Sequence, residues 1–262
     1  MNIENHRVYD LAHLRHLCAA CGLRDLCLPG GLDAEGLRMI DSVIQDKRPL
    51  SARDTLYHAG SPLEGLFIVR SGSLISSIST ENGDVQIVGF HLPGEVIGLD
   101  GLAQHRHACT MISLERTQVC ALSIHAIHEV VAEIPSLKTW FLDLIGRETM
   151  HDYEHVAMMG KRLAHERLAS FLLSFSHRHE RIKRDPFRLK LTMSRSELGN
   201  YLGLAEETIS RLFSRLQDKG LLDVSRKQVV IVDIDGLAAE CGGQRYPPVV
   251  AGGTERAQRA GT

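Results

Sequence analysis

"SRSELGNYLGLAEETISRLFSRLQDKG" fills positions 194–220, and its caps and turns decide how the C-terminal half of the chain is read. Ser194-Arg-Ser-Glu197 is a capping box, in which a hydroxyl and a carboxylate three residues apart satisfy each other's backbone N–H. Gly203 supplies a stop, and a second helix is predicted over 206–219, closed by Gly220. Along that helix Ile209, Leu212, Phe213 and Leu216 recur at i, i+3, i+4 and i+7, the spacing of a buried face. Glu207, Ser210, Arg211, Ser214 and Arg215 lie off that stripe. Their chemistry suits base edges: Arg donates twice to guanine, Glu accepts from cytosine, and Ser adapts to either role. Residues 221–224 and 228–232 then read as two strands around Ser225-Arg226-Lys227, a basic-tipped wing. A helical hairpin with a polar face is commonplace. Helix, turn, helix and wing in one segment predict a reader of double-stranded DNA.

Charge agrees with that reading. Residues 161–230 carry 15 Lys and Arg against 8 Asp and Glu, a net of +7. The remainder carries 15 against 24, a net of −9, so the overall −2 conceals a basic segment on an acidic body. Such asymmetry points to a polyanionic partner. The 262 residues are enough for two modest domains, and 44% hydrophobic with 24% charged residues is ordinary for a globular protein. No apolar run approaches the roughly 20 residues that span a bilayer. The first residues are polar and mixed in charge, unlike a signal peptide, so no membrane partner and a cytoplasmic location are expected.

Upstream, the pattern over 49–123 is short apolar runs at 66–69, 85–88, 96–97 and 119–122. Turn signals at Ser71-Gly72, Asn82-Gly83 and Pro93-Gly94 separate them, which predicts an antiparallel barrel or sandwich. From Pro135 the period becomes helical, and Pro suits a first-turn position. Phe141, Leu144, Ile145, Val156 and Met159 form an apolar stripe interrupted by Glu148 and Asp152. A long helix with a partly charged seam reads as a helix–helix interface, hence a homodimer. Helical character is predicted again over 166–175 and extended chain over 187–191, while the Gly-, Pro- and Arg-rich tail 241–262 reads as disordered.

Cys18, Cys21 and Cys27 crowd one short stretch, "CAACGLRDLC", and Cys109, Cys120 and Cys241 complete the set of six. In a reducing compartment clustered thiols indicate metal more than disulfides. Four thiolates suit an iron–sulfur cluster, and zinc accepts the same set; spacing does not choose between them. The histidines, including His105, His107, His177 and His179, show no ligand spacing and read as solvated loop residues. Nothing here resembles a nucleotide-binding glycine loop, a nucleophile elbow or a CxxC on a βαβ unit, so an enzyme is not expected.

The order of parts, with "LFIVRSGSL", "QIVGFHLPGEVIGLDGLA", "ERLASFLL" and "GNYLGLAEETISRL", resembles the cyclic-AMP receptor/FNR superfamily of bacterial transcription regulators, and more narrowly its FNR (fumarate and nitrate reduction regulator) branch. The resemblance implies an α+β chain. Its parts would be an N-terminal cysteine segment (1–28), a cyclic-nucleotide-binding-like jelly roll (29–125), a dimerisation helix (126–160) and a winged helix-turn-helix (161–240). It implies an oxygen-responsive activator holding a [4Fe–4S] cluster on Cys18, Cys21, Cys27 and Cys120, with Cys109 a small buried residue and Cys241 structural or free. Glu207, Ser210 and Arg211 would read a TTGAT-like inverted repeat, and the loop at 80–86 would face RNA polymerase. Three departures stand out. Ala205 occupies the place of a capping Thr, Thr149 replaces an apolar seam residue, and no Arg follows Gly94-Glu95 until Arg106, so cAMP is not expected to bind. The rival readings are an iron-free, ligand-gated regulator and a zinc-structured one.

Overall fold

The computed structural model describes residues 18, 21–28, 32–161 and 163–241; the tail expected to be disordered lies outside them beyond Cys241. Two compact units emerge, Met1–Val156 with Thr192–Tyr201, and Ala157–Leu191 with Leu202–Thr262.

The first unit opens with α1 (Arg24–Cys27) and α2 (Ala34–Val43), followed by β1 (Gln45–Asp46), β2 (Thr55–Tyr57), β3 (Gly65–Ser71), β4 (Leu74–Ser79), β5 (Val85–His91), β6 (Val96–Ile97), β7 (Thr110–Ser113) and β8 (Gln118–Ser123). The Asp33 carboxylate caps α2 by accepting from Gly36 N–H. Two antiparallel four-stranded sheets result, in the orders β1-β8-β3-β6 and β2-β7-β4-β5. The three expected turns are present, with φ of +83° at Gly72, +85° at Gly83 and +88° at Gly94. These are left-handed values that glycine adopts without steric cost. Gly65 is required for another reason: a Cβ there would lie 2.1 Å from the Leu122 carbonyl oxygen.

Strand alternation sorts the core into two layers. Phe67, Val69, Val119 and Ala121 face the second sheet and pack with Tyr57, Leu74 and Met111. Leu66, Ile68 and Leu122 face the other way, into a cluster with α1, α2 and the helices that follow β8. Both faces of β3 are therefore buried, and its sequence is a continuous apolar run rather than an alternating one. The strands β2, β4 and β7 escaped the sequence reading because "TLY", "LISSIS" and "TMIS" are short or serine-rich.

The span 126–160, expected as one helix, is part of two. α3 (Ile124–Glu133) ends before α4 (Pro135–Lys161) begins. Proline forces its predecessor out of the helical region, and Ile134 is extended at φ −119°, ψ 98°. Ser123 caps α3 by accepting from Ala126 N–H.

In the second unit α5 (Ala164–Arg181) runs well past the expected 166–175, and β9 (Arg188–Lys190) follows. α6 (Arg195–Leu202) carries the capping box: Ser194 N–H donates to Glu197 at 2.7 Å, and Glu197 N–H donates to Ser194 Oγ at 3.0 Å. Most of α6 belongs with the first unit, where Asn200 covers the open edge of β5. Its amide donates to the Val85 carbonyl and accepts from Ile87 N–H, satisfying an edge that would otherwise stay unpaired. α7 (Glu206–Asp218), β10 (Leu222–Ser225), β11 (Gln228–Ile231) and α8 (Ile234–Ala239) complete the second unit, with sheet order β10-β11-β9.

Candidate functional sites

On α7 the buried stripe is as the spacing predicts: Ile209, Phe213 and Leu216 are at most 3% exposed. Glu207, Ser210, Arg211, Ser214 and Arg215 all lie on the exposed face. Arg211 Nε and Ser214 Oγ donate to carbonyls one turn back, at 3.4 and 3.3 Å, so both side chains rest along the helix with their remaining donors outward. Ala205 holds the N-cap position in extended geometry without a side-chain bond; only its carbonyl serves the first turn, accepting from Thr208 and Ile209. Glu206 and Glu207 lie in that first turn, where carboxylates suit the helix dipole. The β10–β11 pairing brings Ser225 opposite Gln228, so Arg226 and Lys227 form the tip. Arg226 sits at φ +55°, a conformation where Gly or Asn is usual.

The thiol set is built by one local winding and one strand alternation. Cys21 N–H donates to the Cys18 carbonyl, Arg24 N–H to Cys21, and Cys27 N–H to Leu23, coiling the three cysteines together. Cys120 pairs with Ile68 on one side and Asp46 on the other. Because Ala121 and Val119 face the second sheet, Cys120 faces the helices, and it packs against the same cluster as Cys18 and Cys27. The four thiols are near enough to act on one another electrostatically: Cys120 and Cys21 both raise Cys18 and Cys27. Burial is the larger cause, pushing Cys27 up to about 12 and Cys120 to about 11. Cys18 rises furthest, through burial and then Asp41, whose carboxylate also accepts from Cys18 N–H at 2.6 Å. Asp41 was not singled out in the sequence, where it is one acid among many on a helix surface. Among the described residues no three His, Cys, Asp or Glu side chains converge closely enough to hold a single metal ion.

Cys109 belongs elsewhere. Its thiol and its N–H both donate to Asp100, which also accepts from Ala108 N–H and Tyr57 OH. His107 corrects the expectation of solvated histidines: it is 3% exposed and stacks on Tyr57 at 3.6 Å between ring centres. His179 is buried too, and burial with neighbouring Arg184 and Arg178 holds it below the usual imidazole range. Both rings fill core positions that a residue list without coordinates cannot reveal. Cys241 is likewise buried, its thiol donating to the Leu237 carbonyl.

On α4 the expected interface residues divide between two faces. Leu144 is buried and Phe141 partly so, both against the chain's own cluster, and Glu148 is half-buried. That face is committed within the chain. Leu142, Tyr153 and Val156 are exposed at 61, 64 and 67%. With Ile145, Thr149, Asp152 and Met159, Leu142 and Val156 fall on a heptad a/d pattern. Leu142 was missed because its neighbours Phe141 and Leu144 dominate the apolar signal.

A β-roll followed by a long helix and a winged DNA reader defines a transcription regulator of the Crp type. The Crp-like helix-turn-helix domain matches residues 166–240, and the cyclic nucleotide-binding domain matches 47–133. The chain is 37% identical over 87% of its length to the transcriptional regulatory protein btr of Bordetella pertussis, covering 93% of that protein. It is 38% identical to the transcriptional activator protein anr of Pseudomonas aeruginosa, covering 87% of this chain and 93% of that one. The corresponding values for the fumarate and nitrate reduction regulatory protein of Escherichia coli are 36, 87 and 91%. The structure of FixK2 from Bradyrhizobium japonicum superposes with a TM-score of 0.69 at 27% identity, covering 75% of this chain and 96% of that one. The chain belongs to the Crp/Fnr family of DNA-binding transcription regulators, on the branch of the fumarate and nitrate reduction regulators. Those relatives are regulators rather than enzymes, and among the described residues no helix is long and apolar enough to cross a membrane.

Proposed function

We propose that this regulator is an oxygen-responsive activator in which a [4Fe–4S] cluster on Cys18, Cys21, Cys27 and Cys120 controls homodimerisation and binding to a TTGAT-like inverted repeat. The observation that carries the reading is the gathering of Cys120, from the last strand of the roll, with Cys18 and Cys27 of the N-terminal segment at one apolar cluster, with Cys21 near enough to act on all three electrostatically. The donor set suits the group in its chemistry: four thiols, one buried and three half-buried, the ligand type that iron–sulfur clusters take. Burial holds the Cys27 and Cys120 thiols well above neutral pH, so ligation by them would release protons. Bound there, such a cluster would supply an oxygen-labile tie between the N-terminal segment and the roll.

The chain's own residues account for the rest. Leu142, Ile145, Thr149, Asp152, Val156 and Met159 offer the seam for a second copy. Asp152 is exposed on that seam, so two copies would bring like charges together and oppose pairing until other contacts compensate. Pairing sets two α7 helices on successive major grooves, where Glu207, Ser210 and Arg211 reach base edges, with Ser214 and Arg215 beside them. The 80–86 turn is the surface we assign to RNA polymerase.

Anaerobic purification with iron, sulfide and zinc analysis, and spectra before and after air, tests the proposal. About four irons and four sulfides per chain with absorbance that bleaches in air is the expected result. Stoichiometric zinc, or no metal, would remove the oxygen mechanism and turn attention to a ligand for the roll.

A further inference from the structure

Beside the thiol set lies an apolar pocket of about 60 Å³. Its walls include Cys27 and Leu28 at the end of α1, Ile40 of α2, Val130 of α3, and Trp140 and Leu144 of α4. Size and lining together restrict what it can hold. A water needs about 10–15 Å³ and two to four polar partners. This space is ample for water, yet its lining offers almost no partner, so hydration gains little. Apolar cavities of about 150 Å³ stay dry and accept benzene or xenon; a space less than half as large excludes a ring and still admits a small apolar species. A charged or polar ligand would lose its hydration with nothing in return.

We infer that this pocket binds an apolar diatomic gas, of the class containing dioxygen and nitric oxide, against the side chain of Cys27. The purpose of such a site rests on the thiol-cluster reading above; its existence does not. A gas concentrated here by the same hydrophobic transfer that drives core packing would be held against a cluster ligand, not merely reach it from solvent.

Trp140 is the only tryptophan of the chain and lines the pocket, so its fluorescence reports occupancy directly. The experiment is xenon quenching of the intact, metal-free chain, with iodide as a probe of solvent exposure and the xenon NMR shift as a second readout. Saturable quenching by xenon, with weak quenching by iodide, is expected. Val130→Leu, which adds bulk to the wall, should reduce the saturable part several-fold, whereas Leu144→Ala, which enlarges the space, should increase it. Melting curves check that both variants fold, and the NMR shift of the parent chain decides the matter if either does not. Dioxygen and nitric oxide are then titrated separately against bound xenon; displacement supports the site and shows which gas it prefers. Quenching that rises linearly without saturation, an unchanged xenon shift, or displacement by neither gas would overturn it. Because the chain tested carries no metal, these results stand apart from the iron and sulfide analysis, which can fail alone.

Discussion

Arg211 is exposed on the recognition helix and bonded only weakly to its own backbone, so its guanidinium remains free to make two bonds to one guanine. Arg211→Ala should cost about 1–3 kcal/mol of operator affinity and relax discrimination at one base position, measured by titrating wild-type and singly mutated operators at fixed salt. The cysteines divide just as sharply. Cys120 shares its surroundings with Cys18 and Cys27, while Cys109 donates to Asp100 on a different wall of the roll. Cys120→Ser should therefore abolish iron retention. Cys109→Ser should keep the full iron content, and its hydroxyl can still donate to Asp100. Iron analysis of the two anaerobically purified variants checks both outcomes.

At the scale of the element, α7 starts without a side-chain cap. Ala205 already has the extended backbone that a cap requires, φ −67° and ψ 150°, so Ala205→Ser should stabilise by about 0.5–2 kcal/mol. Thermal or denaturant unfolding followed in the C-terminal unit measures it, and no gain would mean that the serine side chain is turned away from the first-turn N–H groups. The helix α4 makes a second prediction. Asp152 lies on the exposed heptad seam, so Asp152→Asn should shift the metal-free chain from monomer toward dimer, an effect that high salt would reproduce in part by screening. Sedimentation velocity across a concentration series distinguishes the two states. Thr149, also on the seam, donates its hydroxyl to the Ile145 carbonyl at 2.9 Å; this satisfies the polar group within its own helix and leaves only its methyl for packing.

For the molecule as a whole, the first unit is assembled from two distant stretches of chain, and acid should test how they are joined. Burial alone would raise the Glu197 carboxyl, but the Arg53 guanidinium and the Ser194 N–H prevail and hold it below its ordinary value. Arg53 and Glu197 form an ion pair. A group depressed in the folded state stabilises it above the unfolded pKa, and that contribution fades as pH falls through the folded one. Acid should accordingly weaken the parent chain below the ordinary carboxylate range, and Glu197→Gln should flatten that part of the stability–pH curve while lowering stability at neutral pH. Arg53 is mostly exposed, so solvent screening keeps the effect small. Melting temperatures of both proteins from neutral pH downward settle it; parallel curves would exclude Glu197 as a contributor.

Much was determined by the sequence itself. The recognition helix was legible because its period, cap positions and glycine stops are all local, and the five exposed residues follow from 3.6 residues per turn. The turns at Gly72, Gly83 and Gly94 were legible for the same reason, and Pro135 marked the start of α4. Family resemblance singled out Cys120, and only tertiary structure separates its surroundings from those of Cys109: strand alternation turns Cys120 toward the helices, while Cys109, in the bend before β7, donates to Asp100. Only packing could show that Leu144 is spent inside the chain while Leu142 faces outward, since both look alike in an apolar helix. The burial of His107 and the role of Asp41 beside Cys18 were equally invisible, because each depends on residues far away in the chain. What is periodic or conformationally restricted can be read along the chain; what depends on which surfaces meet is decided by the fold.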